Sequence, residues 1–189
     1  GARVRTEIPF EELWPFLNQH SLIRRFWRLR DEDMGLQFLA RLVPEMEGWK
    51  LTGAAVWGYW DARPQGPDAI ALLDHADGTE HVLPVGRERG GGRSLQDYVA
   101  PLGDAVALFM VTMGTQGLST AEEARSDGLY SRYFLLNGMT MALTEALAEM
   151  IRTSIVREWG LGSEGKSYAP GMPAFPSIGA HEQFFALLH

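Results

Sequence analysis

The residues that most invite a chemical reading lie between Gly160 and Pro176. Gly160, Gly165, Lys166 and Ser167 are spaced as G-x-x-x-x-G-K-S, the pattern by which backbone amides and a lysine cradle phosphate. That chemistry needs a strand before the loop and a helix after it, so that amides and helix N-terminus both face the anion. Here a long helical pattern precedes Gly160, and Tyr168-Ala169-Pro170-Gly171-Met172-Pro173 follows Ser167, a run that cannot begin a helix. The letters lack the setting, and a phosphate-binding loop is set aside. Pro170, Pro173 and Pro176 predict instead a stiff, extended loop, in which Gly171 allows close approach or positive φ and Ala169 leaves room. Such a backbone either holds a small polar ligand at little entropic cost or packs the last helix onto the domain. The residues alone support both.

A second candidate is the pair His75 and His81, flanked by Asp74 and Glu80. Asp77-Gly78 between two apolar runs predicts a hairpin over residues 69–84, with His75 opposite Glu80 and Asp74 opposite His81. Two cross-strand polar pairs near a hairpin tip account for these residues, and a metal site lacks a third well-placed ligand. The chain contains no cysteine, which removes disulfides, thiolate metal sites and a Cys nucleophile together.

The elements that must position these residues read as α+β. A short helix starting at Pro9 carries Leu13, Phe16 and Leu17. Ser21 to Arg30 is amphipathic, with Leu22, Ile23, Phe26 and Trp27 against arginines, and Asp31 to Met46 continues helically until Pro44 ends or bends it. Ala54 to Trp60 is an aromatic, β-branched strand, the 69–84 hairpin follows, and Gly86 to Arg93 is a glycine-rich loop bearing Arg87, Arg89 and Arg93. Ala105 to Met113 is apolar on both alternations and is expected to be the most buried strand. Leu129 to Trp159 reads as one long helix, or two joined near Gly138, and a last helix runs from about His181 to Leu188. Strands in the middle with helices at both ends favour α+β over an alternating sheet.

At 189 residues the chain suits a single domain with a sizeable core, and 46% hydrophobic residues is ordinary for a globular protein. Its formal net charge of −7 argues against nucleic acid or an anionic membrane as a main partner. No apolar run has the length to span a bilayer. Residues 2–6 lack the apolar core of a signal peptide, so a cytoplasmic location is expected, and Gly1 reads as a remnant of excision or trimming from a longer chain.

Taken in order, several segments resemble the C-terminal activation domain of cobalamin-dependent methionine synthase. Ile8-Pro9-Phe10-Glu11-Glu12-Leu13, Ser21-Leu22-Ile23-Arg24 and Trp27 resemble its opening "IPxxxLxPxLN…LFR…W". Ala55-Val56-Trp57-Gly58-Tyr59-Trp60 resembles "AVYGYF", and Ser94-Leu95-Gln96-Asp97-Tyr98-Val99 resembles "CLADFV". Asp104-Ala105-Val106-Ala107-Leu108 with Val111-Thr112-Met113-Gly114 resembles "DVVAL…VTVG", and Leu143 to Glu149 resembles "LAEALAE". Residues Ala169 to Pro176 resemble "APGYPACP". The likeness spans nearly the whole chain, and its order and spacing are more specific than any one piece.

That resemblance implies a C-shaped single domain, residues 1–189, built on a bent antiparallel sheet flanked by helices and binding S-adenosylmethionine (AdoMet). In the family, the cobalamin of a neighbouring domain occasionally oxidises to inactive cob(II)alamin. The activation domain then docks over it, flavodoxin or another reductase supplies an electron, and AdoMet donates a methyl group. Placement supplies most of that catalysis, so no catalytic acid, base or metal ligand is expected in this chain. An Asp-x-His-x-x-Gly cobalamin motif and zinc-ligating cysteines are both absent, so the homocysteine, folate and cobalamin sites of the methyltransferase belong elsewhere. Residue by residue, the likeness implies AdoMet contacts from Glu145, Lys166, Ser167, Tyr168, Ala169, Gly171 and Met172.

Two positions depart from the family pattern. Its R-x-x-x-G-Y signature, whose arginine grips the AdoMet carboxylate, falls on Ser167 and Met172. Serine cannot make a bidentate charged contact, and losing one costs about 1.5–3 kcal/mol, roughly 10- to 150-fold in affinity. Lys166 carries charge, but neighbours on an extended backbone point in opposite directions. The alternative is a degenerate activation-domain fold that docks on a corrinoid protein without AdoMet. Glu145 is either a ligand neighbour or part of a solvated helix face, while Glu149 is expected to pair with Arg152. The arginines of 21–30 and 86–93 form either a docking face for a cobalamin domain or an acidic flavodoxin, or ordinary solvated surface.

Overall fold

The computed structural model describes residues 2–49, 51–74, 77–161 and 165–188. Five strands, β1 (Arg3–Pro9), β2 (Thr52–Gln65), β3 (Ala69–Leu73), β4 (Glu80–Pro84) and β5 (Asp104–Thr112), form one sheet ordered β1-β2-β3-β4, with β5 beside β2. Among the described residues five helices accompany them: α1 (Gln19–Ser21), α2 (Glu32–Glu47), α3 (Gln116–Ser126), α4 (Tyr130–Glu158) and α5 (Ala180–Leu187). The fold is α+β, as the order of patterns predicts, and its sheet is open and antiparallel, as the family resemblance implies. Packing divides the chain into two compact units, one of Gly1–Val4, Val56–Met110 and Ile155–His189, the other of Arg5–Ala55 and Val111–Ser154.

Within the first unit the core gathers Trp60, Ile70, Leu72, Leu83, Val85, Leu108, Phe175 and Phe184. β2 pairs antiparallel with β3, and β3 with β4. The hairpin register differs from expectation by two residues. Glu80 faces Leu73 and His81 faces Leu72, so Glu80 is not opposite His75, nor His81 opposite Asp74. His75 itself lies outside the described residues. The tip is longer than a two-residue turn: Asp74 N–H donates to Thr79 O at 2.8 Å and Gly78 N–H donates to Asp74 O at 2.9 Å. A type I′ turn needs positive φ at both central residues, and of Asp77 and Gly78 only Gly78, at φ 75°, has it. Asp77 instead accepts from Thr79 N–H at 2.8 Å.

β5 also departs from expectation. Only Leu108 along it is buried, whereas Ile70, Ala71 and Leu72 make β3 the most enclosed strand. β3 has a hydrogen-bonded neighbour on each side, β5 a single neighbour in the sheet among the described residues, and apolar composition alone does not report which strand is flanked.

Within the second unit, Pro9 caps a 3-10 turn at Phe10–Phe16, as its proline predicts, but the strand before it carries no alternation the sequence reveals. α1 continues into a π-helical turn at Leu22–Phe26 that buries Leu22 and Ile23. α2 begins at an Asp31 cap, whose carboxylate accepts Met34 N–H at 3.0 Å, and runs through Pro44 to Glu47. Its buried stripe is Gly35, Leu39, Leu42 and Met46, while Leu36 and Ala40 are exposed. Gly35 lets α2 pack closely on Ile23, since a Cβ there would stand 2.6 Å from it.

α4 is one helix of 29 residues, unbroken at Gly138. The glycine is there for a neighbour: a Cβ would meet Trp27 at 2.7 Å, and the buried Trp27 indole donates to Leu135 O at 2.9 Å. The helix ends in a Schellman motif, with Gly160 N–H bonding Arg157 O, Leu161 N–H bonding Val156 O, and Gly160 at φ 69°. Gly160 is a helix terminator, which is the physical reason the phosphate-loop spacing is a coincidence. Among the described residues no helix is long and apolar enough to cross a membrane, and no three metal-ligating side chains converge.

Candidate functional site

The loop after α4 begins at Gly165 among the described residues and has no regular structure through Ala169. It then folds into a tight turn rather than staying extended. Gly171 N–H donates to Phe175 O at 2.7 Å, Phe175 N–H to Met172 O at 2.8 Å, and Met172 N–H to Ala169 O at 3.1 Å. Gly171 sits at φ 94°, a conformation an L side chain rarely adopts, so this turn requires its glycine. Phe175 anchors the turn, 1% exposed and with its ring 6.2 Å from that of Phe184 on α5.

A second tie joins the loop to the segment ending in Tyr98. Ser94 caps a 3-10 turn, Leu95–Tyr98, in a reciprocal capping box with Asp97. Fully buried, the Ser94 hydroxyl donates to Gly86 O at 2.7 Å, and Leu95 N–H donates to Ala174 O at 2.6 Å. Arg87 locks this frame from the other side. Its guanidinium reaches Asp68 at 2.8 Å, both oxygens of Asp97 at 2.8 and 3.0 Å, Gly92 O at 2.9 Å and Pro67 O at 3.1 Å. Hydrogen bonds from Arg87, then from Ser94 N–H, hold the Asp97 carboxyl below the usual carboxylate range. Arg87 is therefore a structural clamp, committed to the frame of this segment.

Lys166 turns toward Tyr98, its Nζ 5.5 Å from the ring centroid. Tyr168 is stacked on Tyr98, centroids 5.3 Å apart and planes 28° from parallel. Ser167 is exposed, and among the described residues its hydroxyl makes no hydrogen bond. Ala169 N–H donates to Met172 Sδ at 3.1 Å; a thioether is a weak acceptor, so a better one can displace it. The Gly171 amide is engaged inside the turn, which leaves its carbonyl rather than its N–H for a ligand. Lys166 to Met172 thus share one stretch of surface in the first unit.

Glu145 belongs to the second unit, on α4, where it is exposed and pairs with Arg25 at 3.0 Å. Glu149 pairs with Arg152 at 2.6 Å, as the helical spacing predicts, and this bond holds its carboxyl below the usual range. What sequence reasoning missed is the partnership of Tyr98 and Arg93 with the loop. Both were visible as residue types, but the stacking joins positions 70 apart and leaves no periodic signal.

An open antiparallel sheet with terminal helices and a pinned proline loop makes this an α+β protein. Residues 33–189 match the family described as vitamin B12 dependent methionine synthase, activation domain, and the chain belongs to that family. A crystal structure of the MetH reactivation domain bound to AdoHcy is similar at a TM-score of 0.75 and 19% identity, covering 100% of this chain and 70% of that one. No curated protein matches in sequence.

Proposed function

We propose that residues 1–189 act as one domain that binds AdoMet and docks on a cobalamin-binding domain, supporting reductive methylation of inactive cobalamin in methionine synthase. The observation that carries this reading is the turn Ala169–Phe175, held to the core by Phe175 and to the Tyr98 segment by Leu95, in a member of the activation-domain family. A similar fold was crystallised with AdoHcy, the product AdoMet leaves after losing its methyl group. Cobalamin on the partner domain supplies the nucleophile, and the sulfonium of AdoMet is an already activated methyl donor. This chain's task is placement and exclusion of water: the Gly171 carbonyl, the displaceable Ala169 amide, Tyr168 and Met172 orient the ligand. A flavodoxin-like reductase completes the proposed partners, and the setting is cytoplasmic.

Titration calorimetry of the chain with AdoMet tests the reading; saturable heat is expected, and no heat at millimolar ligand overturns it. One observation favours a second reading, a docking module without AdoMet: Met172 Sδ already occupies the Ala169 amide, and Ser167 offers no charge. A complex with a cobalamin domain whose affinity is indifferent to AdoMet would support that reading.

A further inference from the structure

Two cations stand beside the Tyr98–Tyr168 stack. Lys166 lies over the Tyr98 ring, and the Arg93 guanidinium is at the Tyr98 side chain. The neighbouring Tyr168 hydroxyl first, then Arg93 and Lys166, pull the Tyr98 phenol below its usual range, whereas Tyr98 pushes the Tyr168 phenol up. Among the described residues neither Arg93 nor Lys166 forms an ion pair. Asp97, on the Tyr98 turn, has both oxygens engaged by Arg87 and one also by Ser94 N–H. In a chain of net charge −7, two uncompensated cations beside two phenol hydroxyls mark a place where an anion replaces a missing counter-ion.

We infer that Arg93, Tyr98, Lys166 and Tyr168 form an anion subsite that takes a carboxylate, the one on the amino-acid end of the proposed AdoMet ligand. It stands beside Ser167, where the family pattern has an arginine and this chain has no charge. The inference rests on the proposed AdoMet reading, so its test is built to separate the two. AdoHcy and 5′-methylthioadenosine share the adenosine and thioether, but only AdoHcy carries the carboxylate. In the full chain, Arg93→Ala with Lys166→Ala should weaken AdoHcy by roughly 10- to 150-fold and leave methylthioadenosine unchanged. Equal loss of both ligands, or of neither, overturns the subsite while leaving AdoMet binding standing.

If AdoHcy does not bind at all, the AdoMet reading fails and the subsite is judged on acetate alone. Acetate at tens of millimolar, followed by amide chemical shifts, should then perturb residues 93, 98 and 166–168 in the wild type and not in the double variant. No perturbation in the wild type overturns it. Tyr98→Phe serves as a second variant that keeps the stack and removes one hydroxyl; a smaller, carboxylate-selective loss is expected.

Discussion

Arg87 and Arg93 lie six residues apart in one glycine-rich segment and have opposite fates. Arg87 is saturated, with two carboxylates and two carbonyls around a single guanidinium. Arg93 is exposed, stands by a phenol and, among the described residues, has no carboxylate partner. The same residue type is architecture in one place and available chemistry in the other. The difference lies in the acceptors: Arg87 holds Asp68 and Asp97, and Arg93 pairs with no carboxylate among the described residues. Geometry around the acceptors, not the density of positive charge, distinguishes a clamp from a site.

The largest effect on this contrast should come from Phe175→Ala. Removing a ring that is 1% exposed costs about 3–5 kcal/mol and frees the loop from the core. Urea unfolding should show that loss, and AdoHcy binding should vanish. If binding persists, the loop does not hold the ligand.

Next in size is a rescue. In the Arg93→Ala, Lys166→Ala background, Ser167→Arg should recover roughly 10- to 150-fold in AdoHcy affinity by calorimetry, because a bidentate contact replaces the lost cations. No recovery would place the carboxylate away from Ser167.

Arg87→Ala should lower the thermal midpoint clearly, and Arg87→Lys should also lower it, since an ammonium cannot reproduce the fork. Arg93→Ala should stay within about 0.5 kcal/mol of wild type, as for an ordinary surface change. The pH dependence has a definite sign. The folded-state pKa of Asp97 is depressed from its usual 3.8, so its contribution is present above that value and lost as pH falls through the lower folded one. Melting curves of wild type and Arg87→Ala should therefore differ at neutral pH and converge in acid.

The smallest effect belongs to Glu145→Gln. Its pair with Arg25 is exposed on both sides and contributes at most about 1 kcal/mol to stability. Any larger fall in AdoHcy affinity than in stability would assign Glu145 to the ligand, and matching small changes would leave it a surface pair.

The sequence made some of this plain and hid the rest for physical reasons. Amphipathic spacing marks α4, and proline and glycine punctuation marks the end of that helix and the loop beyond. Those signals are local. The strand at Arg3–Pro9 shows no alternation, because only Ile8 along it is buried. Leu108 is the one deeply enclosed residue of β5, since apolar letters do not say which strand is flanked. At the candidate site the backbone glycines and prolines were legible. Tyr98, Arg93 and the Arg87 clamp became meaningful only once Leu95 was seen tied to Ala174.

The β3–β4 hairpin carries one more consequence. Its actual pairing is displaced by two residues from the tightest turn its letters allow, yet Ile70, Leu72 and Leu83 still face inward. Side chains alternate with period two, so an even change in tip length is silent to the core and an odd one inverts it. The tip is accordingly a site of parity-constrained length variation: two residues can be added or removed there at little cost to the interior, and one cannot.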